Sequence, residues 1–180
     1  MQPQERAELR DIVISSCRHV LPKCGMPIEP DPVDLTASLP MDEQLAGFIG
    51  FTAEAVRGAL TLMASTELVS ASYPLQLKQG MEGRLELFDW CGEIVNRLLG
   101  RIKGELAARG VEIEPSTPKA MMGENLQFPI AARSAVCALQ FRCRGGTIAV
   151  LVDAVAAGAT IFREHRSASG LPEEGELLLF

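Results

Sequence analysis

From Glu82 to Arg109 apolar residues recur at three- and four-residue steps, with no proline anywhere in the stretch. At the α-helical step this is roughly seven to eight turns, longer than a single strand runs. The stretch is therefore a helix, and Gly110 is its natural stop. At roughly 100° per residue, Leu87, Phe88, Cys91, Ile94, Val95, Leu98, Leu99, Ile102 and Leu106 gather on one broad side. A helix this apolar on one side needs another layer to cover it, and that requirement constrains the rest of the chain.

The remaining segments supply such a layer. Gln4–Leu21 repeats Leu9, Ile12, Val13, Ser16, Cys17 and Val20 at helical steps, and Pro22 stops it. Gly25–Pro40 is rich in proline and reads as an extended connection, with a short strand at Val33–Leu39. Leu45–Ser65 holds short apolar runs broken by Gly47, Gly50 and Gly58. It reads as a hairpin or meander turning near Ala53–Ala55. Thr66 is placed to cap a short helix over Glu67–Ser72. After the long helix, Val111–Glu114, Ala120–Met122 and Leu126–Ala131 are strand candidates. Ala135–Arg142 and Thr147–Val155 flank the turn signal Arg144-Gly145-Gly146. Strands that cluster in meanders, without alternating with helices, predict an α+β fold with a largely antiparallel sheet.

The organisation expected is an N-terminal helix and connection over 1–34, a main body over 35–162 and a tail over 163–180, all one structural domain. The tail from Arg163 to Gly175 is polar and reads as loosely ordered. Glu176–Phe180 is apolar again, suited to docking on the core or a neighbour, or to fraying.

Composition narrows the function classes. The chain has 180 residues, of which 47% are apolar and 22% charged, so a sizeable core is within reach and a disordered chain is excluded. A net charge of −6 makes phosphate-backbone binding, and so nucleic acid, a poor expectation. No apolar run reaches the length of a membrane span. The polar start MQPQERAELRD lacks the order of a secretory leader. The five cysteines, Cys17, Cys24, Cys91, Cys137 and Cys143, form no disulfide framework, and neither His19 nor His165 has metal-ligand spacing. A cytoplasmic protein with free thiols and no metal of its own is expected.

The side of the long helix away from its apolar stripe carries Asp89, Gly92, Glu93, Asn96, Gly100, Lys103 and Gly104. Glu93 and Asn96, three apart, are neighbours on one strip. Each glycine inside a helix costs about 0.5–1 kcal/mol relative to alanine. Three of them beside two polar side chains let another surface approach the backbone. Either a partner or another element of this chain can be that surface.

Asp89-Trp-Cys-Gly-Glu93-Ile-Val-Asn96-Arg-Leu-Leu-Gly100 resembles the D-x-x-x-E-x-x-N signature of the CheC/CheX/FliY-type chemotaxis phosphatases. The glycine-rich meander Gly47–Ser65 and Pro118-Lys-Ala-Met-Met-Gly123 entering a strand share the resemblance, which covers most of Leu35–Val155. Pro118 stands one residue short of the signature's proline, a loop-length difference. The first helix lacks the second E-x-x-N motif of CheC-type members. A single active helix resembles the CheX type, which implies a CheC-like fold and a homodimer; exposed sheet edges also invite pairing.

The resemblance implies a phosphatase acting on the aspartyl phosphate of a phosphorylated CheY-like response regulator, with Mg²⁺ carried by that partner. An acyl phosphate is already activated, so what it needs is an in-line water and positioning. A carboxamide accepts from and donates to such a water without repelling the phosphate. By the resemblance, Asn96 orients the water and Glu93 pairs with the regulator's lysine. The helical wheel gives Gly92, Gly100 and Gly104 the part of docking clearance. Asp89 is a supporting member: it hydrogen-bonds near the helix start, where negative charge is favoured, or only solvates the face.

Cys91 and Arg97 spell C-x5-R, the skeleton of a cysteine phosphatase loop. That chemistry needs a thiol in a loop of converging amides, whereas Cys91 falls on a helix's apolar stripe. Asp89 and Glu93 without a histidine read as a solvated pair. Arg142, Arg144, Arg163 and Arg166 read as ordinary hairpin-end and tail charges. The rival reading is a binding module, since the fold also resembles flagellar-switch domains that bind without turnover. A third reading is a structural dimer within a signalling complex. Retention of both Glu93 and Asn96 favours an enzyme.

Overall fold

The computed structural model describes residues 1–35, 43–126, 135–156 and 162. Helix α1 (Pro3–Val20) leads through a 3-10 turn (Pro22–Cys24) to strand β1 (Val33–Asp34). A long hairpin follows, β2 (Glu43–Thr52) and β3 (Val56–Ser65), then helices α2 (Thr66–Ser72) and α3 (Gly80–Ala107). Strands β4 (Glu114–Pro115), β5 (Lys119–Glu124), β6 (Ala135–Cys143) and β7 (Gly146–Ala156) complete the described chain. The predicted strand Leu126–Ala131 lies almost wholly outside the described residues, as do most of Val33–Leu39, the tail 163–175 and the segment 176–180.

The strands form one antiparallel sheet in the order β1-β6-β7-β3-β2-β4, with β5 also on β2. β4 and β5 share the outer edge of β2. β5 pairs with Glu43–Phe48 and β4 with Phe51–Thr52. The predicted β2–β3 turn falls at residues 53–55, closed by Ala53 N–H donating to Val56 C=O at 2.7 Å. The β6–β7 turn is Arg144-Gly145, where Gly145 adopts φ 99°, a backbone region that favours glycine.

Alternation along the strands sends one set of side chains to the helices. Leu45 and Ile49 of β2, Leu60 and Leu62 of β3, Leu139 and Phe141 of β6, and Val150 and Val152 of β7 join α1 and α3 in the main core. On the other face of the sheet a smaller buried cluster holds Leu35, Ala46, Met63 and Ala149. The α+β expectation holds, with helices on a largely antiparallel sheet. α1 packs on α3 and β6, with the buried residues its periodicity predicts.

Two local expectations are corrected. The N-cap of α2 is Ser65, not Thr66: Ser65 has extended backbone and its Oγ accepts from Leu68 N–H at 3.2 Å. β3 runs to Ser65, so the hydroxyl at its last residue reaches the free amides first. Of the strand expected over Val111–Glu114 only Glu114–Pro115 forms, although Val111 and Ile113 are buried. Among the described residues no helix is long and apolar enough to cross a membrane.

Candidate functional site

The long helix α3 lies along β2, and one glycine sets how closely. A Cβ on Gly47 would stand 2.8 Å from Cys91 Sγ and 3.0 Å from Cys91 C=O. Only a bare backbone at residue 47 lets α3 sit flush on the strand. The buried side of the helix is Leu87, Trp90, Cys91, Ile94, Val95, Leu98, Leu99, Ile102 and Leu106. Phe88 of the predicted stripe is half-buried, and Trp90 takes a full place in the core.

The seating of this stripe leaves the opposite side of α3 outward. Asp89, Asn96, Gly100, Lys103 and Gly104 are exposed, and Glu93 is half-exposed. The Asn96 carboxamide makes no hydrogen bond among the described residues, so its C=O and NH₂ are both available. At Gly100 and Gly104 an added Cβ would meet nothing within 4 Å. Neither glycine is required by the packing of the described chain.

Gly92, which the helical wheel reads as docking clearance, differs from these two in its surroundings. It is buried, and a Cβ there would lie 3.8 Å from Pro118 Cβ. β5 runs along the outer edge of β2 beside α3, and the residue that leads into it roofs Gly92. On the wheel Gly92 sits at the margin between the apolar stripe and the outward face, and the neighbouring strand has claimed that margin.

Glu93 is not solitary. Arg97, one turn on, donates through Nε to Glu93 Oε1 at 2.6 Å. This hydrogen bond raises the already high pKa of Arg97 further. The guanidinium carbon lies 5.6 Å from the centroid of the Trp90 ring. Trp90 donates its indole N–H to Ser72 Oγ at 3.0 Å, and its ring meets Tyr73 edge-on. Arg97 entered the sequence reading only as part of the C-x5-R decoy. Its i,i+4 spacing from Glu93 was the signal that could have singled it out.

Cys91 is fully buried on the core stripe, and burial pushes its thiol up to about 12. Such a thiol is protonated at neutral pH and faces no solvent, which removes it as a nucleophile. Among the described residues no group of three or more His, Cys, Asp or Glu side chains is arranged to hold a metal ion. A groove of about 550 Å³ opens at the turn end of the hairpin, lined in part by Gly50, Arg57, Ser116 and Asp153. It shares no residue with the Glu93–Asn96 strip. That strip lies on the outward side of α3, with Asn96 exposed and Glu93 half-exposed.

Known proteins with this architecture share the helix-on-sheet arrangement. CheX of Vibrio vulnificus superposes with a TM-score of 0.69 at 18% identity, over 82% of this chain and 99% of that one. CheX of Desulfovibrio desulfuricans gives a TM-score of 0.65 at 17% identity, over 83% and 99%. A CheX from Borrelia burgdorferi, solved in complex with CheY, BeF₃ and Mg²⁺, gives 0.58 at 15% identity, over 81% and 94%. At these identities the likeness speaks for the fold. No curated protein sequence matches the chain significantly. The family model described as chemotaxis phosphatase CheX matches residues 45–142, more than half of the chain and all of α3 with its Glu93–Asn96 strip. The chain therefore belongs to the CheX family of chemotaxis phosphatases.

Proposed function

We propose that this protein is a phosphatase that accelerates hydrolysis of the aspartyl phosphate on a CheY-like response regulator, ending a chemotaxis or related two-component signal. The observation that carries this reading is Asn96. It is an exposed carboxamide without a partner among the described residues, one turn beyond a carboxylate and next to the open backbone of Gly100. Asn96 enters the regulator's site and orients the attacking water. The water oxygen attacks phosphorus in line, the P–O bond to the aspartyl carboxylate breaks, and inorganic phosphate leaves. Glu93 pairs with the regulator's lysine and fixes the docking register. Gly100 and Gly104 leave space for the regulator's loops, and Asp89 borders the same strip.

The Mg²⁺ in this reaction belongs to the regulator and is part of the substrate. The complex of Borrelia burgdorferi CheX with CheY, BeF₃ and Mg²⁺ supports a partner of this kind. We also assign the protein to the cytoplasm, where such regulators work, and to a homodimer. Light scattering that returns a monomer at working concentration overturns the dimer.

Phosphate release from a phosphorylated cognate regulator tests the activity. Wild type exceeds the regulator's own hydrolysis, and Asn96→Ala falls about 100-fold or more towards it, the usual cost of losing one preorganised hydrogen-bonding group. An Asn96→Ala variant as active as wild type refutes the role of Asn96. Tight binding without faster release makes the protein a binding module.

A further inference from the structure

An exposed i,i+4 ion pair contributes about 0.3–0.5 kcal/mol and ordinarily does not hold either side chain still. The Glu93–Arg97 pair has more behind it. Arg97 lies over the face of Trp90, which is only 9% exposed. The indole in turn is pinned by Ser72, whose Oγ accepts from Trp90 Nε1 and donates to Val69 C=O at 2.7 Å. Arg97 thus has two geometric partners, the Glu93 carboxylate and the face of Trp90. A planar cation that stacks on an indole and hydrogen-bonds a carboxylate through Nε is more restrained than an exposed ion pair alone.

From this arrangement we infer that Arg97 is a positioning residue: it anchors the Glu93 carboxylate to the Trp90–Ser72 pair, so that Glu93 is already oriented when a partner docks. The inference rests on the docking role proposed for Glu93. Arg97 takes Oε1 of Glu93, and Oε2 has no donor among the described residues. That oxygen is the one left for the partner's ammonium group. Asn96 and Arg97 are adjacent, so one turn of α3 carries both the water-orienting amide and the anchor of the docking carboxylate. The side-chain freedom that binding would otherwise cost is then partly given up beforehand, in folding, which is the physical gain of preorganisation.

Two measurements test this. In phosphate release, Arg97→Ala raises KM about three- to tenfold, the scale of immobilising one long side chain, while kcat at saturating regulator stays within about twofold because Asn96 is untouched. Arg97→Lys keeps the charge but loses the plane and the Nε donor, and recovers only part of KM. In a Glu93→Gln background the Arg97→Ala change adds nothing further to KM. Equal effects in both backgrounds overturn the inference, as does an unchanged KM in Arg97→Ala. Neither result touches the phosphatase reading, which stands or falls with Asn96→Ala.

The second measurement needs no partner. Trp90 is the chain's single tryptophan, so its emission reports on the surroundings of one indole, the stacked guanidinium among them. Arg97→Ala changes that emission, and Glu93→Gln changes it in the same direction, because the cation loses its tether. Identical spectra for wild type, Arg97→Ala and Glu93→Gln refute the link between Glu93 and Trp90. Retained thermal unfolding midpoints show that each variant is folded.

Discussion

Filling the two open glycines of α3 should stabilise the fold and weaken the function at once. At both Gly100 and Gly104 an added Cβ meets nothing within 4 Å, and neither has a positive φ. Alanine there fits without strain. Each replacement recovers about 0.5–1 kcal/mol of helix propensity. The Gly100→Ala, Gly104→Ala double variant therefore gains about 1–2 kcal/mol. For a domain of this size that raises the unfolding midpoint by about 2–8 °C, measured by circular dichroism. In a docked complex the same two methyl groups crowd the approaching surface, and overpacking a close interface costs about 1–3 kcal/mol. KM for the phosphorylated regulator should rise about fivefold or more. Gly92→Ala is the internal control: its Cβ meets Pro118 at ordinary contact distance, so KM stays put. A double variant less stable than wild type refutes the claim that nothing in this chain needs those glycines. A more stable variant with unchanged KM removes the strip from the docking surface.

Two further outcomes follow from the core beneath the site. Gly47→Ala drives a Cβ into Cys91 Sγ and C=O, so α3 has to lift from β2. Urea denaturation should show a loss of about 1–3 kcal/mol, and an unchanged midpoint refutes the flush seating of the helix. The second outcome concerns pH. Burial raises the thiols of Cys91 and Cys137 from an ordinary value of 9.0 to about 12. A raised folded pKa leaves stability whole below the unfolded pKa and erodes it as pH climbs from about 9 towards 12. At about pH 10 each thiol costs roughly 1.4 kcal/mol. Cys91→Ala should therefore lose less stability than wild type between neutral pH and pH 10; equal losses refute the burial effect.

What was legible in the sequence was whatever repeats locally. The 3.6-residue period placed α1 and α3 and named their buried residues almost completely. Apolar runs with glycine punctuation placed both hairpins and their turns. The outward position of Glu93, Asn96, Gly100 and Gly104 follows from the same period, because a helix with one apolar side has no choice about where the other points. The ends of elements were less legible. Ser65 and Thr66 are both competent caps, and only the length of β3 decides between them.

Tertiary structure decided what depends on distant segments meeting. Nothing near Gly92 in sequence announces that Pro118 covers it; that follows from β5 pairing with β2. Nothing near Gly47 announces the Cys91 side chain against it. In the sequence Arg97 is only the arginine of a C-x5-R decoy; the fold sets it over Trp90, which Ser72 holds. Local periodicity sets which way a side chain faces, because successive residues are fixed by backbone geometry. Which neighbour it meets depends on strand pairing between segments far apart in the chain, and no short pattern encodes that.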